Sequence, residues 1–434
     1  MKKTRPLLST PFLVVLGRLG GALIPFFLAH FYGVSPATDA FFFVFGVLLL
    51  ALETFSHLLE AVLLPDLAVF QKRSEKMFYF GNSVLTVTLG ISIVFFGFFS
   101  IAAPFFLGHW SGSGGEFAGR VSRLLLEMSP FLFLGACTCM ANGIFYAHKI
   151  FWVPAISPLI RSGVVVISIL LAHGRLGIHA ATLGFAAGEA VRTSLTFLLL
   201  AQLTSWRPKL HWKEIEGEVK VFLNHAAFQV LAIVAFNLFL VTDQWFASRL
   251  GEGKLSLFSY SDRLFLIPYQ LFGAGFLHIL HSDWSDLYHQ EPTETFWAKI
   301  GKDIRLVLGI AAVFSFLAWG FSPFAVQLAF GHGHMQPEDL RVIGTLFGWQ
   351  MIGFIPAVVN LIYSRIFFIL KKSRFYFAYS WGRFLLKVVL NVFFMGIYGL
   401  KGIVVSTVMV NLSAAAWLHF YLRRYLKEKH SCSF

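Results

Sequence analysis

Five basic side chains occur deep inside long apolar stretches of this sequence, where a charged group is expensive. They are Arg18, Arg161, Arg192, Arg263 and Lys387. On insertion scales each costs about 2.5–3.5 kcal/mol at the centre of a bilayer. Charges that persist in such places face a water-filled cavity or pair with other charges. The excess of buried cations therefore indicates a wet, electropositive cavity.

Acidic side chains accompany these cations within the same stretches. Glu189 lies three residues before Arg192, a spacing that brings two side chains together on one helix. Glu127 is a second candidate partner in a neighbouring stretch. Pairing with these acids is the alternative to a place in the cavity, and for Arg161 and Arg192 the sequence leaves both open.

The elements that carry these charges must be membrane-spanning helices. Hydrophobic residues make up 57% of the 434 residues, and charged residues make up only 13%. A bilayer is crossed by about 20 helical residues. Apolar runs of that length predict an all-α polytopic membrane protein with twelve transmembrane helices. The predicted spans are 11–31, 39–67, 78–107, 122–147, 152–173, 176–203, 221–248, 257–280, 305–330, 340–370, 375–397 and 402–422.

Basic residues are distributed unequally between alternate predicted loops. One set of loops holds 21 Lys and Arg residues and the other set holds seven. Because Lys and Arg collect in cytoplasmic loops, both termini are predicted to be cytoplasmic. The same loops explain the net charge of +13, so nucleic-acid binding is not predicted. We recognise no cofactor motif and predict no metal site or catalytic residue.

Two segments of the sequence echo each other and predict an internal repeat. Residues 31–41 join the first and second predicted spans, and residues 250–265 join the seventh and eighth. Six spans plus six is the arrangement of a transporter built from two related bundles. The prediction is an N-terminal six-helix bundle (1–204), a cytoplasmic linker (205–220) and a C-terminal six-helix bundle (221–434). The two bundles are predicted to be pseudo-symmetric around a central cavity.

The same two segments resemble motifs of the MviN/MurJ family of lipid II flippases, in the multidrug/oligosaccharidyl-lipid/polysaccharide exporter superfamily. Gly33–Phe42 is similar to the opening of the family's second helix. Tyr260–Leu264, with Pro268 and Leu271–Gly273, is similar to its eighth-helix signature. The resemblance covers nearly the whole chain. It implies a divergent member with twelve helices, where relatives often have fourteen.

The resemblance implies alternating-access transport of an undecaprenyl-diphosphate-linked saccharide, lipid II or a related glycan, across the bacterial cytoplasmic membrane. In the family, intramembrane arginines meet the pyrophosphate of the substrate. Arg18 matches the family's first-helix arginine and Arg263 the eighth-helix one. Other basic positions of the family are occupied here by Ile24, Leu52 and Glu53. The implied partners are the lipid-linked substrate, membrane lipid and envelope-synthesis proteins.

The chemistry of the deep arginines agrees with such a substrate. A diphosphate cannot be desolvated without partners, and Arg forms forked bonds to phosphate while keeping its charge. We expect Arg161 and Arg192 to replace the missing family arginines. Asp39, in the second-helix motif, completes the expected substrate-binding set.

The resemblance also implies a cation site. Some relatives bind sodium with a seventh-helix acid, an eleventh-helix pair at i,i+4 and oxygens of the twelfth helix. The matching residues are Asp243, Lys387 and Asn391, followed by Ser406 or Thr407. A lysine ammonium in that place would stand where sodium binds. This predicts coupling to protons or to the membrane potential, or no coupling.

Other classes of function remain open at this point. A non-transporting membrane scaffold for envelope glycan synthesis is one of them. A membrane-embedded glycosyl- or acyltransferase is another, although the predicted loops are too short to hold a catalytic domain. A drug or cation antiporter needs a net acidic cavity, which the deep cations contradict.

Overall fold

The computed structural model is all-helical over the residues that it describes. These are residues 6–70, 115–204, 241–277, 293–370 and 373–431, with scattered positions within 82–101, 231–239 and 280–288. No strand occurs among them. The helices with a complete course are α1 (Pro6–Tyr32), α2 (Pro36–Phe70), α3 (Gly115–Ala147), α4 (Trp152–Leu176), α5 (His179–Thr204), α6 (Lys254–Gln270), α7 (Thr293–Gly320), α8 (Ser322–Phe330), α9 (Pro337–Ile352), α10 (Phe354–Ile369), α11 (Ser373–Tyr398) and α12 (Leu400–Ser431). A π-helical turn, Leu271–Phe276, continues α6.

Many of these helices can cross a membrane. Within the described part of the chain, seven are long and apolar enough, namely α2, α3, α4, α5, α7, α11 and α12. The bent pair α9 and α10 would count as an eighth span. The predicted all-α polytopic class is confirmed. The predicted spans at 78–107 and 221–248 lie largely outside the described residues.

Two predicted spans are interrupted in the structure. The predicted span 340–370 consists of α9 and α10, which meet at Gly353 with a bend of 47°. The predicted span 305–330 is divided at Phe321, after which α8 begins with Pro323 in its first turn. Glycine tolerates a helix end, and proline has no N–H to continue the preceding helix. Apolar run length alone does not detect such breaks.

The described helices belong to two compact units, residues 1–256 and 257–434. The predicted linker at 205–220 lies outside the described residues. The division into two six-helix bundles with a joint in that linker therefore stays a prediction.

In the first unit, α4 packs against both α1 and α5, while α3 packs against both α2 and α5. Phe41, Phe131 and Phe185 meet at the centre, with ring centroids 5.8–6.0 Å from Phe185. The contact between α4 and α5 is close. A Cβ atom on Gly188 of α5 would lie 2.8 Å from the carbonyl oxygen of Arg161 on α4. The absence of that Cβ lets the two backbones touch at this level.

In the second unit, α12 contacts α9, α10 and α11, and α7 packs against α9 and α10. The rings of Phe272, Phe314 and Phe354 pack together, with centroids 5.3–6.4 Å apart. Aromatic pairs at this separation add about 0.5–1.5 kcal/mol beyond the area they bury. This cluster joins the π-helical turn to α7 and α10.

Large apolar side chains also cover the outside of the helices. Leu171, Phe316 and Val389 are each more than half exposed. A soluble monomer rarely exposes extensive apolar patches. A bilayer solvates these side chains, so their exposure agrees with a multi-pass membrane protein.

Candidate functional site

Two arginines of the first unit share one carboxylate. Glu189 is fully buried and accepts hydrogen bonds from Arg192 Nη1 at 3.1 Å and from Arg161 Nη1 at 3.3 Å. The side chains of Arg161 and Arg192 are 17% and 9% exposed. We call these three residues the arginine cluster. Two guanidinium groups and one carboxylate carry a formal charge of +1.

Neighbouring groups hold the arginine cluster in place. Arg192 Nε donates to Ser157 Oγ at 3.1 Å. The guanidinium carbon of Arg161 lies 5.4 Å from the ring centroid of Phe131, within range of a cation–π contact. Arg161 Nε is buried and has no hydrogen-bond partner among the described residues. The cluster therefore keeps a spare donor as well as a net positive charge.

Glu127, the other candidate partner of these arginines, has different partners. His179 Nδ1 lies 2.8 and 2.9 Å from its two carboxylate oxygens. Thr182 Oγ1 donates to the same carboxylate at 2.5 Å. The arginines pair with Glu189 alone of the two acids. Because one acid serves two arginines, this pairing neutralises only half of their charge.

Arg18 lies on α1, which packs directly against the helix that carries Arg161. A Cβ atom on Gly17 would lie 2.0 Å from the carbonyl oxygen of Ala155 on α4, so only glycine permits this approach. The side chain of Arg18 lies outside the described part of the structure.

Asp39 lies at the corner between α1 and α2, and its carboxylate accepts hydrogen bonds from residues at the start of α6. Its Oδ2 accepts a hydrogen bond from Gly253 N at 2.5 Å. Its Oδ1 accepts from Ser256 N at 2.6 Å and from Ser256 Oγ at 2.5 Å. We call these three residues the Asp39 corner. The carboxylate accepts hydrogen bonds from backbone N–H groups that have no acceptor within the helix because they lie at its start. The two segments that echo each other in the sequence thus touch.

Arg263 lies on α6 in the second unit and is half-buried. Asp262 precedes it on the same helix. On the same turn, Ser261 Oγ donates to Gln350 Oε1 of α9 at 2.7 Å. This bond fixes the turn of α6 that presents Arg263.

Lys387 and Asn391 lie one turn apart on α11, and both are fully buried. Lys387 Nζ donates to the carbonyl oxygen of Ile403 at 3.3 Å and to Thr407 Oγ1, both on α12. We call these four residues the lysine site. Ser406 Oγ is also buried and has no hydrogen-bond partner among the described residues. The structure brings Lys387, one member of the predicted eleventh-span pair, to oxygens of the twelfth span.

Asp243, the predicted third member of the cation site, lies in the first unit. It is buried, within a helical stretch at 241–248. Its proximity to Lys387 and Asn391 stays a prediction.

The sequence profile of the family described as "Lipid II flippase MurJ" matches residues 28–432. The chain belongs to the MurJ family. It is 21% identical over 387 residues to a probable lipid II flippase MurJ of Borreliella burgdorferi, covering 87% of this chain and 75% of that one. It is 22% identical to the lipid II flippase MurJ of Burkholderia cenocepacia, covering 94% and 81%.

Solved structures share the fold. A lipid II flippase MurJ in an inward closed conformation superposes with a TM-score of 0.83 at 19% identity, covering 96% of this chain and 87% of that one. An inward-facing multidrug transporter of the MATE family superposes with a TM-score of 0.74 at 15% identity, covering 100% and 97%. The expected exporter-superfamily fold is confirmed.

At two positions where the resemblance implies basic residues, this MurJ-family chain has buried apolar side chains. Ile24 and Leu52 are both buried. Leu52 packs against Gly135 of α3, where no Cβ stands in its way. Glu53, beside it, is exposed. Neither Ile24 nor Leu52 has a polar group for a phosphate.

One buried polar network was missed by the sequence reasoning. Arg383 Nη2 donates to Asn411 Oδ1 at 2.7 Å, and Asn360 Nδ2 donates to the backbone oxygen of Asn411 at 3.1 Å. These bonds join α10, α11 and α12. Asparagines within apolar spans are the signal that could have revealed the network, because a buried amide needs partners.

Proposed function

We propose that this MurJ-family chain is a lipid II flippase. It carries lipid II, or a closely related undecaprenyl-diphosphate-linked saccharide, across the bacterial cytoplasmic membrane by alternating access. It acts as a transporter, and no covalent chemistry is assigned to it. The arginine cluster carries the proposal, because it holds a net positive charge inside a membrane-spanning unit of a chain that matches the family over residues 28–432.

The chemistry of the substrate explains why such a charge is retained. A diphosphate brings about two negative charges, and the desolvation of each is prohibitive without a partner. Guanidinium groups form forked hydrogen bonds to phosphate oxygens and stay protonated. Arg161 is the more exposed arginine of the cluster. We assign substrate contact to Arg161, with Arg18 on the adjoining helix, and positioning of Glu189 to Arg192.

The same role is assigned to Arg263 in the second unit, on the basis of the resemblance and of its half-buried place on α6. Asp39 is assigned a different role. Its two oxygens already accept three hydrogen bonds, which leaves it poorly suited to bind an anion. Alternating access requires contacts that hold in one state and release in another. We assign that role to the Asp39 corner.

Glutamine and lysine variants of the arginines test the assignment. Arg161→Gln leaves one arginine with one carboxylate, so the cluster becomes neutral and membrane insertion should be unchanged. Loss of a charged hydrogen bond of about 1.5–3 kcal/mol predicts transport lowered about 10–100-fold. Arg18→Gln and Arg263→Gln should lower transport by the same factor. The lysine variants should keep partial activity, because they retain the positive charge but lose the forked hydrogen bonds.

The measurement is flipping of a fluorescent lipid-linked substrate in liposomes, with complementation of a flippase-depleted strain. Arg341→Gln is the control, because Arg341 is exposed at the start of α9. Unchanged flipping in all three glutamine variants would contradict the proposal. A chain that complements without flipping would instead be a scaffold.

We further propose that both termini are cytoplasmic. Cysteines introduced near Ser113 and His332 should react with an impermeant reagent from outside, and cysteines near Arg73 and Lys371 should not. The reversed labelling pattern would contradict this orientation.

The lysine site is assigned to coupling. Its ammonium is held by a carbonyl and a hydroxyl oxygen, the ligand types that a small monovalent cation prefers. A tethered ammonium therefore takes the place of a free cation, and transport by the unmodified protein should be indifferent to sodium. Strong stimulation by sodium, measured in liposomes at constant ionic strength, would contradict the assignment.

A further inference from the structure

A cavity lined in part by arginine side chains lies at one end of the first unit. It has a volume of about 460 Å³, within the range of small-ligand sites. Its walls come from the start of α2, the first turns of α3 and the turn before α5. Its ionisable lining residues are Glu116, Arg120, Arg123 and His179. We call it the Arg123 cavity.

The charges around this cavity leave one cation unneutralised. Arg120 pairs with Glu116 on the same helix face. His179 lies against the carboxylate of Glu127 through Nδ1, at 2.8 Å. Arg123 has no acidic partner among the described residues, and it is exposed. One Arg–Glu ion pair and one surplus guanidinium favour an anionic ligand that meets Arg123 first.

The position of the cavity relates it to transport. Ala37 lines it and lies two residues before Asp39, so the cavity adjoins the Asp39 corner. Arg120 and Arg123 belong to the set of predicted loops and loop edges that holds only seven basic residues. Two of those seven therefore line one cavity, on the face predicted to lie away from the termini.

We propose that the Arg123 cavity receives the diphosphate of the lipid-linked substrate after translocation, before the substrate leaves the protein. The proposal rests on the proposed function, because only a transported substrate arrives at this face from inside. Arg123 supplies a forked contact to one phosphate. Arg120, on the next turn of the same helix, supplies a second when the phosphate displaces Glu116 from it.

Protection of an engineered cysteine tests the occupant directly. Gly119 lines the cavity, and a Cβ atom there would meet no other atom within 4 Å, so Gly119→Cys fits without strain. Its modification by an impermeant thiol reagent is timed in proteoliposomes. The reagent is given alone, with a short-chain lipid-linked diphosphate saccharide, with inorganic pyrophosphate, or in liposomes rich in phosphatidylglycerol.

The expected result is slower modification with the lipid-linked diphosphate, at concentrations where pyrophosphate and phosphatidylglycerol have little effect. Adding Arg123→Gln should weaken this protection about 10–100-fold, the equivalent of one lost charged hydrogen bond. Arg175→Gln is the matched control, since Arg175 is an exposed arginine at the end of α4 that does not line the cavity.

Four outcomes would overturn the proposal. They are absence of protection, protection that survives Arg123→Gln, equal protection by phosphatidylglycerol or pyrophosphate, and modification only from the side of the termini. Flipping is measured on the same preparations. A protein that flips without protection fails this proposal alone, whereas a protein that does not flip fails the proposed function.

Discussion

The arginine cluster and the lysine site are two solutions to the same problem, a cation buried in a membrane-spanning unit. In the first unit, two guanidinium groups surround one fully buried carboxylate. In the second unit, an ammonium group donates to a backbone carbonyl and to a hydroxyl, which are neutral oxygens. The first arrangement balances charge with charge. In the second, the two hydrogen bonds bring dipoles to the charge.

Because of this difference, the two sites should respond differently to the removal of a charged side chain. In the arginine cluster the acid is the critical member, because its loss leaves two cations together in a low dielectric. In the lysine site both hydrogen bonds from the cation end on neutral oxygens, so its loss leaves no charge on these two acceptors. An unpaired buried charge costs more than an unfilled polar void. Substitutions in the two sites should therefore destabilise the protein to different extents.

Glu189→Gln should give the largest loss of stability. The amide has the shape of the carboxylate but not its charge, so Arg161 and Arg192 would repel each other without compensation. Breaking a buried pair in this way costs about 3–5 kcal/mol. The expected result is a markedly lower unfolding midpoint in detergent and a smaller monodisperse fraction.

A second substitution separates charge from packing. Glu189→Gln combined with Arg192→Gln removes one cation along with the acid and should recover much of the loss. Glu116→Gln, at an exposed acid, is the control and should unfold like the parent protein. Equal midpoints for Glu189→Gln and Glu116→Gln would contradict the account of the cluster.

Lys387→Ala should cost less and should change the response to ions. It removes the ammonium that donates to Thr407 Oγ1 and to Ile403 O, although Ile403 O keeps the hydrogen bond from Thr407 Oγ1. The lost hydrogen bonds predict a loss of about 1–3 kcal/mol. A monovalent cation can then occupy the space, so sodium should raise the unfolding midpoint of the variant and restore its transport. Choline chloride at the same concentration is the control. A variant indifferent to sodium would remove the analogy between the ammonium and a bound ion.

Removal of one neutral oxygen from each site should give the smallest effects. Ser157→Ala removes an acceptor of Arg192, which keeps its carboxylate. Thr407→Val removes a hydroxyl oxygen that accepts a hydrogen bond from Lys387. Both changes should lower the free energy of unfolding by about 0.5–1.5 kcal/mol, the contribution of one typical hydrogen bond. Thr407→Val should lie at the upper end, and the reverse order would contradict the comparison.

Much of the architecture could be predicted because the length of an apolar run can be read from the sequence without knowledge of the fold. The all-helical membrane class follows from runs of apolar residues, which α3, α4 and α5 confirm. The breaks at Phe321 and Gly353 were missed. They depend on how a short segment packs, and the apolar run continues through both of them.

The candidate site could be predicted in kind but only partly in detail. The cost of burying a cation marked Arg161, Arg192 and Lys387 from the sequence alone. Spacing on one helix identified the pair of Glu189 with Arg192, because i,i+3 neighbours share a face. The bond from Arg161 to Glu189 joins residues on two helices and 28 positions apart, and no local spacing predicts it.

Hydropathy and motifs alone indicate that this chain spans a membrane, that it carries buried cations and that it resembles the MurJ family. The partners of these charges follow from the packing of the helices. In the folded protein Glu127 contacts His179, and Glu189 pairs with both Arg161 and Arg192. The carboxylate of Asp39 accepts a hydrogen bond at the start of α6. The physical reason is range. Hydropathy acts on each residue separately, whereas hydrogen bonds and ion pairs require atoms within about 3 Å, a distance that only the packing of helices sets.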